Sequence, residues 1–240
     1  PTAFLIISLY FIFKRNWILN AIFVAFAILC KTNFIIVIPF LILYMFKSDH
    51  FEVKKVITSL ALILFLIFVI QLPFLSNNSY LNTVYNNGAQ TKFLNLFLNF
   101  ETHTQTLFYI APATIILLFF YGTTFKNFNK SLFILFLGFS FATITLLTPP
   151  SHGWYCWFLP MIIYFLIKNS AENSKLFYWV FICAYFAYFL VIPESDFFNL
   201  IPNSKSRSLY QFLPFANNTK DLIVNFSFTF LQISLLINCV

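Results

Sequence analysis

The chain has 240 residues, 60% of them hydrophobic and 22% aromatic, with 37 Phe and only 9% charged. A soluble domain of this size carries about a quarter of its residues charged, so this composition excludes a soluble enzyme, a secreted disulfide scaffold and a disordered tail, and it makes lipid the expected solvent. The formal net charge is +7, yet no basic stripe interleaved with stacking aromatics on a solvated face points to nucleic acid.

The expected fold is all-α: a polytopic transmembrane helix bundle, with about nine membrane segments in one transmembrane domain over residues 1–240. Apolar blocks run from Thr2 to Phe13, Trp17 to Cys30, Phe34 to Phe46, Val56 to Leu72, Thr106 to Tyr121, Leu132 to Leu147, Trp154 to Ile167, Leu176 to Ile192 and Leu222 to Val240. The first is short of the roughly 17 to 25 residues a span needs and follows no initiator Met, so it reads as the remainder of a longer helix. It lacks the basic start and small-residue cleavage site of a signal peptide. The second and third are short and separated by Lys31, Thr32 and Asn33, which fits either two stubby helices or a re-entrant pair.

If all nine blocks cross, Lys14, Arg15, Lys47, Lys54, Lys55, Lys126, Lys130, Lys168 and Lys175 fall on one side, with Asp49, Glu52 and Glu172. The other side receives Lys31, Lys92, Lys205, Arg207 and Lys220, with Glu101, Glu194, Asp196 and Asp221. This bias makes the first side cytoplasmic. The longer connections 73–105 and 193–221 and the compact turn 148–153 then face outward, where a site can be built. Within 73–105 the polar residues Lys92, Asn95 and Asn99 oppose Phe93, Leu96, Phe97 and Phe100, a spacing that predicts a helix lying in the membrane interface or packed on the bundle.

Several chemistries lack their residues. Cys30, Cys156, Cys183 and Cys239 have no short pairing spacing, and His50, His103 and His152 form no zinc-binding pair, so neither a metal nor a cofactor is expected. The triplets at Asn77 and Asn217 match glycosylation acceptors, as chance provides in an Asn-rich chain. No ionisable residue lies well inside a block and no internal repeat is visible, against an ion-coupled transporter.

Two clusters stand out. In the first, Lys31-Thr32-Asn33 interrupts two apolar blocks and Pro39 follows. Lys31 faces outward against the charge bias, which fits either a snorkelling lysine beside a Pro kink or a cation that meets an anion. In the second, Pro149 and Pro150 stiffen a turn that leads through Ser151, His152 and Gly153 into Trp154-Tyr155-Cys156-Trp157 and Pro160. An interfacial aromatic belt accounts for the aromatic residues, though not for a His held immediately before them.

Together the two clusters resemble elements of the GT-C class of membrane glycosyltransferases. The similarity is to the branches of the first GPI mannosyltransferase and the bacterial polyprenyl-phosphate-mannose-dependent mannosyltransferases. Lys31-Thr32-Asn33 through Pro39 looks like the family's Lys-x-Asn or Lys-x-x-Pro element, and Thr148 to Pro160 looks like its late outward turn into Trp-Tyr-x-Trp. The resemblance implies a multi-pass protein of the inner cell membrane with its active face outward. It would move a mannose-like sugar from a polyprenyl-phosphate donor to a hydroxyl of a glycan or glycolipid acceptor, with inversion. Lys31, Asn33, His152, Trp154, Tyr155 and Trp157 would bind substrate. Lys31, and secondarily His152, would stabilise the departing phosphate. The family's catalytic Asp lies in the first outward loop and is expected upstream of Pro1, so the catalytic residue is unknown here. A lipid-linked oligosaccharide polymerase or flippase, and a non-catalytic membrane subunit, are the alternative readings.

Overall fold

The computed structural model describes residues 1–47, 52–84, 97–101, 105–147, 152–169, 172–191 and 217–239. They are predominantly helical and fall into two compact units, Pro1–Met161 and Ile162–Val240.

The first unit opens with a helical hairpin. Helix α1 (Thr2–Phe13) ends in a turn in which Arg15 N–H donates to the Ile12 carbonyl and Asn16 N–H to the Phe11 carbonyl, both at 2.9 Å. This is the six-to-one and five-to-two bonding that closes a helix, and it needs a left-handed residue after the cap. Arg15 fills that position with φ 63°, where a non-glycine residue costs about 1 kcal/mol. Asn16 then caps helix α2 (Trp17–Cys30), its Oδ1 accepting from Leu19 N–H at 3.1 Å. The side-chain amide of Asn20 donates across the hairpin to the Ser8 carbonyl at 2.9 Å, and Phe11 stacks on Phe23 at 5.5 Å.

One extended residue, Lys31 (φ −156°, ψ 114°), separates α2 from a 3-10 segment, Thr32–Ile36, that runs directly into helix α3 (Val37–Lys47). Tyr44 on α3 returns to 6.0 Å from Phe13 at the end of α1, so the chain doubles back at Lys31 and α2 and α3 make an open hairpin with Lys31 at its tip, α2 itself packing chiefly on α1 and α4. Pro39 follows the 3-10 segment closely. It lies in the first turn of α3, where its missing N–H removes no bond within that helix.

Helix α4 (Val53–Gln71) packs on α2 through a narrow face that includes Val56, Ser59 and Ile63, and leaves Ile57, Leu64, Phe65, Phe68 and Val69 exposed. After a short 3-10 turn, Asn77 caps helix α5 (Asn78–Val84) by accepting from the Ser79 and Tyr80 N–H groups. Strands β1 (Phe97–Glu101) and β2 (Gln105–Tyr109) then pair antiparallel, Phe97 opposite Tyr109 and Glu101 opposite Gln105. The interfacial helix expected over 92–100 is therefore replaced by a strand from Phe97 onward, and residues 92–96 lie outside the described residues. A ladder satisfies the backbone polar groups of this segment as a helix would, and the alternation in Gln105-Thr-Leu-Phe-Tyr109 supplies the partner strand.

Helix α6 (Ile110–Thr124) and helix α7 (Lys130–Leu147) complete the packed part of the first unit. Ten of the 18 residues of α7 are buried, and its hydroxyls turn back onto their own helix, Ser140 to the Phe136 carbonyl at 2.7 Å and Thr143 to Phe139 at 2.8 Å. A 3-10 segment, His152–Trp157, precedes helix α8 (Leu159–Asn169), which begins in the first unit and ends in the second. In the second unit helices α9 (Glu172–Val191) and α10 (Asn217–Cys239) pack together, with Tyr188 at 5.3 Å from Phe228 and Phe181, Phe189, Leu231 and Leu235 buried. Helix α10 starts five residues before its apolar block, taking in part of the loop expected over 193–221.

Among the described residues three helical stretches are long and apolar enough to cross a membrane: Val53–Phe74, Lys130–Leu147 and Thr219–Ile237. The other apolar helices are shorter, at 10–17 residues. At 1.5 Å per residue a 14-residue helix rises about 21 Å, against a hydrocarbon core of about 30 Å.

Candidate functional site

The two sequence clusters meet in space within the first unit. Lys31 Nζ lies 5.5 Å from the Trp154 ring centroid and 5.1 Å from that of Trp157, and the two indoles stack on one another at 5.1 Å with 19° between their planes. The backbone explains how they meet. Lys31 is the one extended residue at the tip of the α2–α3 hairpin, and the 3-10 segment places Trp154 and Trp157 three residues apart on one face. Phe34 stands 5.7 Å from Trp157 and 4.9 Å from Phe141, which is itself 6.2 Å from Trp157. Aromatic rings from three elements thus form a floor under the ammonium.

Electrostatically the arrangement holds a cation without neutralising it. The negative faces of the indoles attract the ammonium, an interaction of about 0.5 to 2 kcal/mol according to exposure. No carboxylate pairs with Lys31 among the described residues; Glu52 pairs with Lys55. Partial burial disfavours the charged form and lowers the Lys31 pKa from its ordinary 10.5.

The remaining residues take unequal parts. Asn33 is buried, and its Nδ2 has no hydrogen-bond partner among the described residues, so a donor two residues from Lys31 is left unsatisfied at a cost of about 1 to 3 kcal/mol. Trp154, Tyr155 and Trp157 are buried, at 3%, 0% and 3% exposure, so they offer no open platform; the two indoles support Lys31, while Tyr155 packs edge-on to Phe158 at 5.7 Å. The backbone of His152 begins the 3-10 segment, and its side chain lies outside the described residues, as do 148–151. Phe34 and Phe141 belong to the cluster although sequence reasoning did not select them; Phe34, three residues after Lys31, carried a spacing signal and Phe141 none. Cys30 and Cys156 are exposed free thiols beside the lysine and between the two tryptophans. Among the described residues no group of three His, Cys, Asp or Glu could hold a metal ion.

Compared with protein-family models, curated proteins and solved structures, the chain matches none.

Proposed function

We propose that the protein is an integral-membrane glycosyltransferase of the GT-C type, passing a mannose-like sugar from a polyprenyl-phosphate donor to an acceptor hydroxyl of a glycan or glycolipid. The observation that carries this reading is the Lys31 ammonium, held on stacked Trp154 and Trp157 with no carboxylate partner among the described residues. The nine apolar blocks are read as membrane segments, in the inner cell membrane with the Lys31 end outward.

The chemistry follows from charge. When the bond between the sugar carbon and the donor phosphate breaks, the electron pair leaves with the phosphate oxygen. A cation fixed at that oxygen lowers the barrier by about 3 kcal/mol. Lys31 supplies the cation, the indoles fix its position, and the unsatisfied Asn33 amide offers a second hydrogen bond to the same anion. His152 is the secondary candidate for the phosphate. Lipid retains the polyprenyl tail, so no nucleotide-binding fold is required.

The test is sugar transfer by the full-length protein in native membranes, from a labelled polyprenyl-phosphate sugar. Lys31→Ala is expected to reduce turnover about a hundredfold, the equivalent of the lost phosphate contact, with Lys31→Arg retaining part of it. Transfer by Lys31→Ala at the wild-type rate overturns the assignment.

A further inference from the structure

At the other end of α2 from Lys31, the turn Lys14–Asn16 and the start of α7 carry further cations. Lys130 Nζ lies 5.4 Å from the Phe13 ring centroid and Lys14 Nζ 5.9 Å from that of Tyr10. Phe13 meets Tyr44 at 6.0 Å and Phe133 at 6.3 Å, and Tyr44 stacks on Phe133 at 4.8 Å. Helices α1, α3 and α7 thereby close a packed aromatic floor. Lys14, Arg15 and Lys130 are exposed, and none has a carboxylate partner among the described residues.

A membrane-orienting charge bias does not by itself account for Arg15. A basic residue anywhere near this turn would serve orientation equally, and glycine would sit at φ 63° without strain. An arginine kept at a strained position points to a use for its guanidinium there. Beside it, Ile6 and Tyr10 are exposed and stand in line with Lys14 at four-residue spacing, an apolar lane leading away from the cations along α1.

We propose that Lys14, Arg15 and Lys130 bind the headgroup of an anionic glycerophospholipid, with an acyl chain lying along Ile6 and Tyr10. The planar guanidinium suits two oxygens of one phosphate, and the ammonium groups complete the neutralisation. Phe13 holds Lys130 and directly precedes Lys14 and Arg15 in the chain, so the three cations start from one place on the bundle. This site lies at the opposite end of α2 from the donor site and does not depend on it.

The experiment uses the full-length protein in a neutral detergent, titrated with phosphatidylglycerol, phosphatidylcholine or soluble glycerol 1-phosphate, with adducts read by native mass spectrometry and stability by thermal unfolding. Phosphatidylglycerol is expected to bind and raise the unfolding temperature, while the other two at equal concentration do neither. Arg15→Gly and Lys130→Gln are each expected to weaken phosphatidylglycerol binding about tenfold. Without lipid, Arg15→Gly should unfold at or above the wild-type temperature, because glycine relieves the turn, so lost binding is separated from lost folding. Wild-type affinity in both variants overturns the proposal, as does equal binding of phosphatidylcholine. Glycerol 1-phosphate binding as tightly as phosphatidylglycerol overturns the lipid in favour of a free-phosphate site.

Discussion

The Lys31 ammonium lies 5.1 Å from the centre of the Trp157 ring and 5.5 Å from that of Trp154, so a cation at the tip of one hairpin is positioned by residues from a distant part of the chain. In the proposed donor site Trp157 acts through Lys31, and its substitution should therefore have two separable effects. Trp157→Leu is expected to destabilise the fold by about 2 kcal/mol, read by thermal unfolding, because a buried aromatic is truncated. It should also raise the KM for a polyprenyl-phosphate sugar more than it lowers kcat. Trp157→Phe, which keeps a ring face, should recover most of the KM; equal KM for Leu and Phe would remove the positioning role.

The pH dependence follows from the lowered pKa of Lys31. Between that value and 10.5 the unfolded chain binds more protons at this position than the folded one. Stability therefore rises as pH climbs through the lowered pKa towards 10.5. Phosphate binding runs the opposite way, because it needs the ammonium, and should decline over the same window. Lys31→Arg, which stays charged, is expected to lose both trends. Donor binding measured across alkaline pH checks this, and a wild-type curve that stays flat to 10.5 contradicts it.

Native thiols report on the two ends of the first unit. Cys30 and Cys156 are both exposed and flank Lys31 and the indoles. A membrane-impermeant maleimide is expected to label them from the same side of a sealed vesicle. Lys14→Cys, in a chain with all four native cysteines replaced by Ser, should label only from the other side, and the Cys30 and Cys156 labelling is read with Cys183 and Cys239 replaced by Ser. Labelling of Cys30 and Cys156 from opposite sides would break the shared site.

Close packing around Gly122 gives a prediction independent of function. A Cβ there would stand 2.6 Å from Leu43 Cδ2 and 3.3 Å from Phe136 Cε1, both on buried side chains. Gly122→Ala should cost about 1 to 3 kcal/mol by overpacking, read as a lower unfolding temperature. Leu43→Val removes the reach of the nearest atom, so the double variant should be more stable than the sum of the single losses predicts.

Much of the helical organisation was legible in the sequence because an apolar block in lipid has few backbone solutions other than a helix. The cap at Asn16 and the break at Lys31 sit where polar residues interrupt the apolar run. The pairing of Phe97–Glu101 with Gln105–Tyr109 was hidden, because Lys92, Asn95 and Asn99 have helical spacing while strand pairing depends on a partner further along the chain. At the site, both halves could be selected separately, Lys31-Thr32-Asn33 by its charge between apolar blocks and Trp154 to Trp157 by its density of rings. Their contact could not be read, since it depends on how α2, α3 and α7 pack. The roles of the aromatic residues also depend on burial: three rings expected to shape a groove are enclosed in the core, leaving Lys31 as their half-exposed charge.

The joint between α2 and α3 consists of Lys31 alone, with helix or 3-10 turn on both sides. Such a joint has no slack. Since each added helical residue advances the chain by about 100°, a single insertion after Cys30 would throw the following helix out of phase with its neighbours, carrying Tyr44 away from Phe13 and Phe133. The spacing from Asn16 to Tyr44 is thus a matter of angular register as well as of length, so evolution could exchange side chains along this hairpin far more freely than it could alter the number of residues in it.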